Sequence, residues 1–173
     1  MAVRKRPQLF TVLLVGEGHA EEALLRHLKR LHLARGSGVS VTIKNARGKG
    51  ARHVVEYAIA QTRNAAFDYR LALLDADTDW TDPVRRRAQE ARIDVIACTP
   101  CLEAFLLQVG GVPVRPGLTS AQLKRRFQEC FGTSADDPRV YVDHFQQAVL
   151  AGARTAMIDL DRLLRAFSVQ ASS

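Results

Sequence analysis

Phe10-Thr11-Val12-Leu13-Leu14-Val15-Gly16-Glu17-Gly18 is the stretch on which the fold turns. Phe10 to Val15 is an apolar run broken only by Thr11, as expected of a strand covered on both faces. The Gly-Glu-Gly turn closes it, and a helix follows over roughly His19 to Ala34. Leu24, Leu28 and Leu31 fall at helical spacing there, with Arg26, Lys29 and Arg30 on the outer side and Gly36 and Gly38 as the stop.

The same alternation continues outward. Val39 to Ile43 predicts a second strand. The glycine-rich turn Asn45-Ala46-Arg47-Gly48-Lys49-Gly50 leads into a helix with the stripe Ala51, Val54, Val55, Ala58 and Ile59. Arg70 to Leu74 predicts a third strand that stops on Asp75. A polar helix near Asp82 to Arg92 connects it to a fourth strand at Asp94 to Ala97, and Pro100 opens a further helix through Leu107. Single helices between strands, with short connections, predict a Rossmann-like parallel sheet with helices on both faces.

Past the proline-bearing Val112 to Gly117, the pattern is helical. Thr119 or Ser120 caps a helix carrying Leu123, Phe127 and Phe131. The stripe Phe145, Val149, Met157, Leu160 and Leu164 predicts one long helix, or two broken near Gly152. The expected organisation is an α/β core over 1–112 with a helical extension over 113–173 packed on it, as one unit.

Lys and Arg number 25 against 18 Asp and Glu, a net charge of +7, which makes nucleic acid a reasonable partner because phosphate neutralisation supplies most non-specific affinity. Arg4-Lys5-Arg6 ahead of the first apolar run imitates a signal peptide's basic start. The run ends at once in Glu17, Glu21 and Glu22, and it falls short of the about 20 residues a membrane helix needs. No membrane association is expected. Three cysteines, an odd number, argue against a disulfide framework and for a reducing cytoplasm.

Ligands of open parallel sheets sit beyond the C-terminal ends of the strands, and there the predicted strands place acids. Glu17 follows the first, Asp75 and Asp77 the third, and Glu103 the helix start after the fourth; Glu21 lies one turn into the first helix. Packed carboxylates repel unless protonated or bridged by a cation. A hard divalent ion such as Mg²⁺ takes one or two carboxylates plus waters and phosphate oxygens, and can stabilise charge on a transferring phosphoryl group. Any one of these acids alone is equally a turn residue or helix cap. Asp75 and Asp77 together, directly after Leu71-Ala72-Leu73-Leu74, are harder to explain without a cation.

Leu14-Val15-Gly16-Glu17-Gly18-His19-Ala20-Glu21 resembles the Glu-Gly-x-Thr-Glu segment of OLD-type and RloB-like TOPRIM domains. Leu73-Leu74-Asp75-Ala76-Asp77 resembles their Asp-x-Asp motif. Thr99-Pro100-Cys101-Leu102-Glu103-Ala104-Phe105-Leu106-Leu107 is similar to the Asn-Pro-Cys-Phe-Glu-x-Trp-Leu-Leu segment of RloB-like proteins. The three matches cover residues 10 to about 108 and depart from the family at Ala20, in place of Thr, and Gln108, in place of His. The resemblance implies a TOPRIM-like fold and a Mg²⁺- or Mn²⁺-dependent nuclease or nuclease-like activity associated with restriction and phage-defence loci. It implies metal-binding or catalytic roles for Glu17, Asp75 and Asp77, with Glu21 and Glu103 completing the site. Whether a separate ATPase subunit takes part is left open.

Around Gly48-Lys49-Gly50, the residues Arg47, Lys49 and Arg52 could hold a phosphate with backbone N–H groups, although a solvated basic turn has the same composition. Arg85-Arg86-Arg87 and Lys124-Arg125-Arg126 are helix runs that would grip a nucleic-acid backbone only if they lie on the acidic edge. Cys98-Thr99-Pro100-Cys101 imitates a redox motif, and Cys98, Cys101, Cys130 and His144 form a formal zinc set; buried thiols are the default for both. His19 could rim the acidic site, and Trp80 could stack a base. Two functions compete with metal-dependent phosphodiester chemistry on DNA or RNA. One is a binding module with little catalysis. The other is a haloacid-dehalogenase-like phosphatase, because Asp75-Ala76-Asp77-Thr78 resembles that nucleophile motif.

Overall fold

A computed structural model describes residues 8–168, so the basic Arg4-Lys5-Arg6 stretch lies outside the described residues. Four strands form an all-parallel sheet: β1 (Phe10–Gly16), β2 (Val39–Asn45), β3 (Tyr69–Asp75) and β4 (Asp94–Cys98), in the spatial order β2-β1-β3-β4. The connecting helices are α1 (His19–His32), α2 (Gly50–Asn64) and α3 (Asp82–Glu90). The chain is thus α/β and Rossmann-like. No helix among the described residues is long and apolar enough to cross a membrane.

The two-residue period of a strand sends alternate side chains to opposite faces, and both faces of β1 are buried. Val12 and Leu14 join Leu24, Leu25 and Leu28 of α1 on one side. Leu13 and Val15 join Val54, Val55 and Ala58 of α2, with Val84 and Ala88 of α3, on the other. The helix after β1 and the helix after β3 therefore lie on opposite faces. Neighbouring strands whose connections leave in opposite directions open a crevice between their C-terminal ends. Here that crevice lies between β1 and β3.

After β4 come α4 (Leu102–Val109), α5 (Ser120–Phe131), α6 (Pro138–His144), α7 (Gln147–Arg154) and α8 (Ile158–Arg165). Helix α4 begins at Leu102, not at Pro100; Cys101 is its N-cap. The fully buried Phe127, Tyr141, Phe145, Leu160 and Phe167 share one apolar cluster with Val12, Leu14 and the buried stripe of α1. The tail thus packs on the α1 side of the sheet. The Tyr141 hydroxyl donates to the carbonyls of Ala135 (2.6 Å) and Ala20 (3.1 Å), tying α6 to the start of α1.

The final helical stretch differs from the expected one or two helices. It is three short helices, and Gly152 sits inside α7 rather than at a break. The first break falls at Phe145, whose carbonyl meets Nε2 of the buried His27 at 2.8 Å and so leaves the helical ladder. The second falls at Ala156-Met157, where the Arg154–Asp161 ion pair bridges the turn between α7 and α8. The first break thus meets a partner distant in sequence, and the second is spanned by a local ion pair.

Candidate metal and active site

Glu17 directly follows β1, and its backbone N–H still donates to Leu73 of β3 at 3.0 Å. That extra rung leaves the Glu17 side chain at the β1–β3 crevice, where its Oε2 accepts the Asp75 backbone N–H at 2.9 Å. Asp75 Oδ1 in turn accepts the N–H of Leu102, the first residue of α4, at 2.8 Å. A carboxylate at a helix N-terminus is favoured by the helix dipole and by the unpaired N–H groups there. Each acid thus has one anchored oxygen, and β1, β3 and α4 are joined through them.

Gly16 makes the next placement possible. A Cβ there would sit 2.8 Å from Glu21 Cβ and 3.0 Å from the Glu22 nitrogen, so only glycine lets α1 start this close to β1. Glu21 Oε2 reaches back to the Gly18 N–H at 2.9 Å, as the third residue of a capped helix does. Glu103, in the first turn of α4, is 7% exposed and accepts two hydrogen bonds from Lys124 Nζ of α5, both 3.0 Å.

These groups line one cavity of about 390 Å³. Glu17, Glu21, Asp75 and Glu103 face it with His19, Gly48, Lys124, Gln128 and, from the loop between α5 and α6, Ser134 and Asp136. Four of the acids expected from the sequence are brought together, and Asp136 makes a fifth. Asp77 is not among them: its Oδ2 accepts the Ser120 hydroxyl at 2.6 Å on the exposed surface. Only the first carboxylate of the Asp-x-Asp pair faces the cavity.

The electrostatics follow from burial. Burial, then the neighbouring Glu21 and Glu17 charges, pushes Asp75 up to about 8, against opposing effects of the Leu102 N–H and Lys124. Burial likewise raises Glu21, with smaller contributions from Glu17 and Glu103 that its backbone hydrogen bonds only partly offset. For Lys124, burial works to lower the pKa, but the hydrogen bonds and charge of Glu103, with Asp75 behind it, outweigh burial and raise it. One ammonium faces several carboxylates, and Asp75 carries the excess.

A hard cation suits this donor set, which is all oxygen and electrostatically under-compensated. Among the described residues no three His, Cys, Asp or Glu side chains converge closely enough to hold a metal together. What fits is an open site of two carboxylates, Glu17 and Asp75, completed by waters and substrate oxygens, the coordination Mg²⁺ usually takes.

The basic turn differs from its expected use. The N–H groups of Ala51 and Arg52 at the start of α2 are already taken by the Asp79 carboxylate, so they do not offer themselves to a phosphate. Arg47, Lys49 and Arg52 project from the exposed surface beside Gly48, which itself lines the cavity and donates to the Glu17 carbonyl at 2.7 Å. Trp80 packs against the apolar cluster of α2 and α3, and the Arg85 guanidinium lies 5.5 Å over its ring, covering one face.

The thiols are not poised for redox work. Cys98 and Cys101 are buried, and burial raises both, Cys101 to about 11, the reverse of an activated thiol. Cys130 is exposed. The placement of Lys124 in the cavity was visible in the sequence only as part of a basic run, and Ser134 and Asp136 carried no signal at all. Compared with protein-family models, curated proteins and solved structures, the chain matches none of them.

Proposed function

We propose that the protein is a Mg²⁺- or Mn²⁺-dependent enzyme of phosphodiester chemistry on DNA or RNA, with a TOPRIM-like core of the kind its motifs resemble. The observation that carries this reading is the pairing of Glu17 and Asp75 at the β1–β3 crevice, inside a cavity that also holds Glu21 and Glu103. Glu17 and Asp75 would hold the cation. When bound, the cation supplies Lewis-acid stabilisation of charge on the scissile phosphate. Glu21, whose pKa burial raises, is suited to hold or pass a proton at Oε1, the oxygen not tied to Gly18. Lys124 keeps Glu103 neutralised and contributes positive charge where a phosphate would enter.

One observation favours the second reading, a nucleic-acid-binding module with little turnover. Asp77 is turned to Ser120 and Glu103 is already paired with Lys124, so fewer carboxylates are free than the motif suggests. The phosphatase reading draws on the Asp75-Ala76-Asp77-Thr78 motif alone.

Incubation with mixed DNA and RNA substrates and Mg²⁺ or Mn²⁺ tests the proposal. Wild type should cleave, and Asp75→Ala and Glu17→Gln should not. If wild type and Asp75→Ala behave alike, the enzymatic reading fails. Salt-dependent binding without turnover in wild type would select the binding module.

A further inference from the structure

Beside the cavity, α2 and α3 form a surface on which three acids, Glu56, Asp79 and Asp82, are partnered, one, Glu90, is exposed without a partner among the described residues, and several cations are unpartnered. The Asp79 carboxylate caps α2 through the Ala51 and Arg52 N–H groups, while its carbonyl accepts the Thr81 N–H, fixing the starts of both helices next to each other. Asp82 pairs with Arg85 at 3.3 Å, and Glu56 pairs with Arg87 at 2.9 Å across the two helices. Arg47, Lys49, Arg52 and Arg86 are exposed and, among the described residues, their side chains have no hydrogen-bond or ion-pair partner. Four unpartnered cations stand against the one unpartnered acid, Glu90, so an excess of positive charge remains.

The cations can be placed one by one relative to the cavity and to α3. Gly48 is at the cavity wall, with Lys49 beside it. Arg52, near the start of α2, shares with Pro83 of α3 and the paired Glu56 and Arg87 a shallow groove of about 250 Å³. Arg86 lies one turn beyond Pro83 on α3, in the spacing that puts residues on neighbouring helix surface. By contrast, the basic groove on the other face of the sheet is largely spent: Arg26 is paired with Glu22, and Lys29 donates to the Val41 carbonyl.

The geometry points to the strip Lys49–Arg52–Arg86 as the track for the sugar–phosphate backbone of a nucleic acid that leads one phosphate into the acidic cavity. Exposed guanidinium and ammonium groups contact phosphates without reading bases, so the track positions a strand and is indifferent to sequence. It rests on the proposed function for what enters the cavity, but the contact itself needs neither metal nor turnover.

The test is fluorescence anisotropy with a labelled oligonucleotide, prepared as DNA and as RNA and in single and double strands, in EDTA across a range of NaCl. Each lost phosphate contact lowers the slope of log K against log salt by about 1. Arg52→Ala combined with Arg86→Ala should therefore reduce the slope by about 2 for the preferred nucleic acid, while melting stays at the wild-type temperature. Arg30→Ala, on the far side of the sheet, should leave the slope unchanged. Whichever of DNA or RNA shows the loss identifies the source of the backbone. An unchanged slope in the double variant, an equal loss in Arg30→Ala, or equally strong competition by a polyglutamate peptide overturns the track. Glu17→Gln separates the two ideas. It should abolish metal-dependent cleavage and keep the binding slope, so a chain that never cleaves but loses slope on Arg52 and Arg86 removal refutes the catalytic reading alone.

Discussion

The backbone N–H of Asp75 donates to the Glu17 carboxylate across 58 positions of sequence, at 2.9 Å. One acid is thereby fixed by the main chain of the other, and the two strand ends cannot separate without breaking that bond. The adjacent N–H of Ala76 donates to the Cys98 carbonyl, extending the same lacing from β3 to β4. Backbone N–H groups thus hold one carboxylate oxygen of each acid at the strand ends.

Glu17→Gln keeps an oxygen acceptor for the Asp75 N–H but removes a charge. Folding stability should change by no more than about 0.5 kcal/mol, whereas Mg²⁺ or Mn²⁺ affinity should fall at least about tenfold. Calorimetric metal titration alongside thermal melting separates these outcomes. A large loss of stability with unchanged affinity would make Glu17 a structural residue only.

Asp75 gives a pH signature. The unfolded chain ionises it near its ordinary 3.8, whereas the folded protein holds the proton up to about 8. The folded state thus binds more protons in between, so this contribution is fully present below about pH 3.8, declines with rising pH and is lost above about 8. Asp75→Asn removes the decline. At pH 8, without metal, it should melt above wild type, and the difference should shrink as the pH is lowered toward 4. Saturating Mg²⁺ should raise the melting temperature of wild type and not of Asp75→Asn.

Gly16→Ala should be costly without touching any acid. The new Cβ would press at 2.8 Å on Glu21 Cβ and at 3.0 Å on the Glu22 nitrogen, so α1 must move. Overpacking of this kind costs about 1–3 kcal/mol. Chemical denaturation measures it, and a neutral result would mean α1 starts farther from β1 than described.

Lys124 and Glu103 should couple. Lys124→Met removes the ammonium, and Glu103→Gln removes the negative charge, of the 3.0 Å pair. Lys124 is about half exposed, so solvent screening limits the interaction to about 1 kcal/mol. A double-mutant cycle by denaturant unfolding gives the coupling, and additivity of the two single effects would deny the pair.

Much of the core was legible because β1 and β3 are short apolar runs that stop at glycine or acid, and α1 and α2 carry clean stripes. Asp75, leaving Leu71-Ala72-Leu73-Leu74, marked the end of β3 and the crevice beside it. What stayed hidden depends on distant partners. The turn of Asp77 toward Ser120, the capping of α2 by Asp79 and the entry of Lys124 into the cavity all join residues far apart in sequence. The helix break at Phe145 likewise depends on His27, on a helix more than a hundred positions earlier, and no local periodicity records it.

The most direct measurement is anomalous diffraction from crystals soaked in Mn²⁺. A peak within coordination distance of both a Glu17 carboxylate oxygen and an Asp75 carboxylate oxygen is the expected result, and it should vanish in Asp75→Asn. No peak at saturating Mn²⁺, or one bound elsewhere with the Glu17–Asp75 crevice empty, would contradict the assignment of this crevice as the metal site.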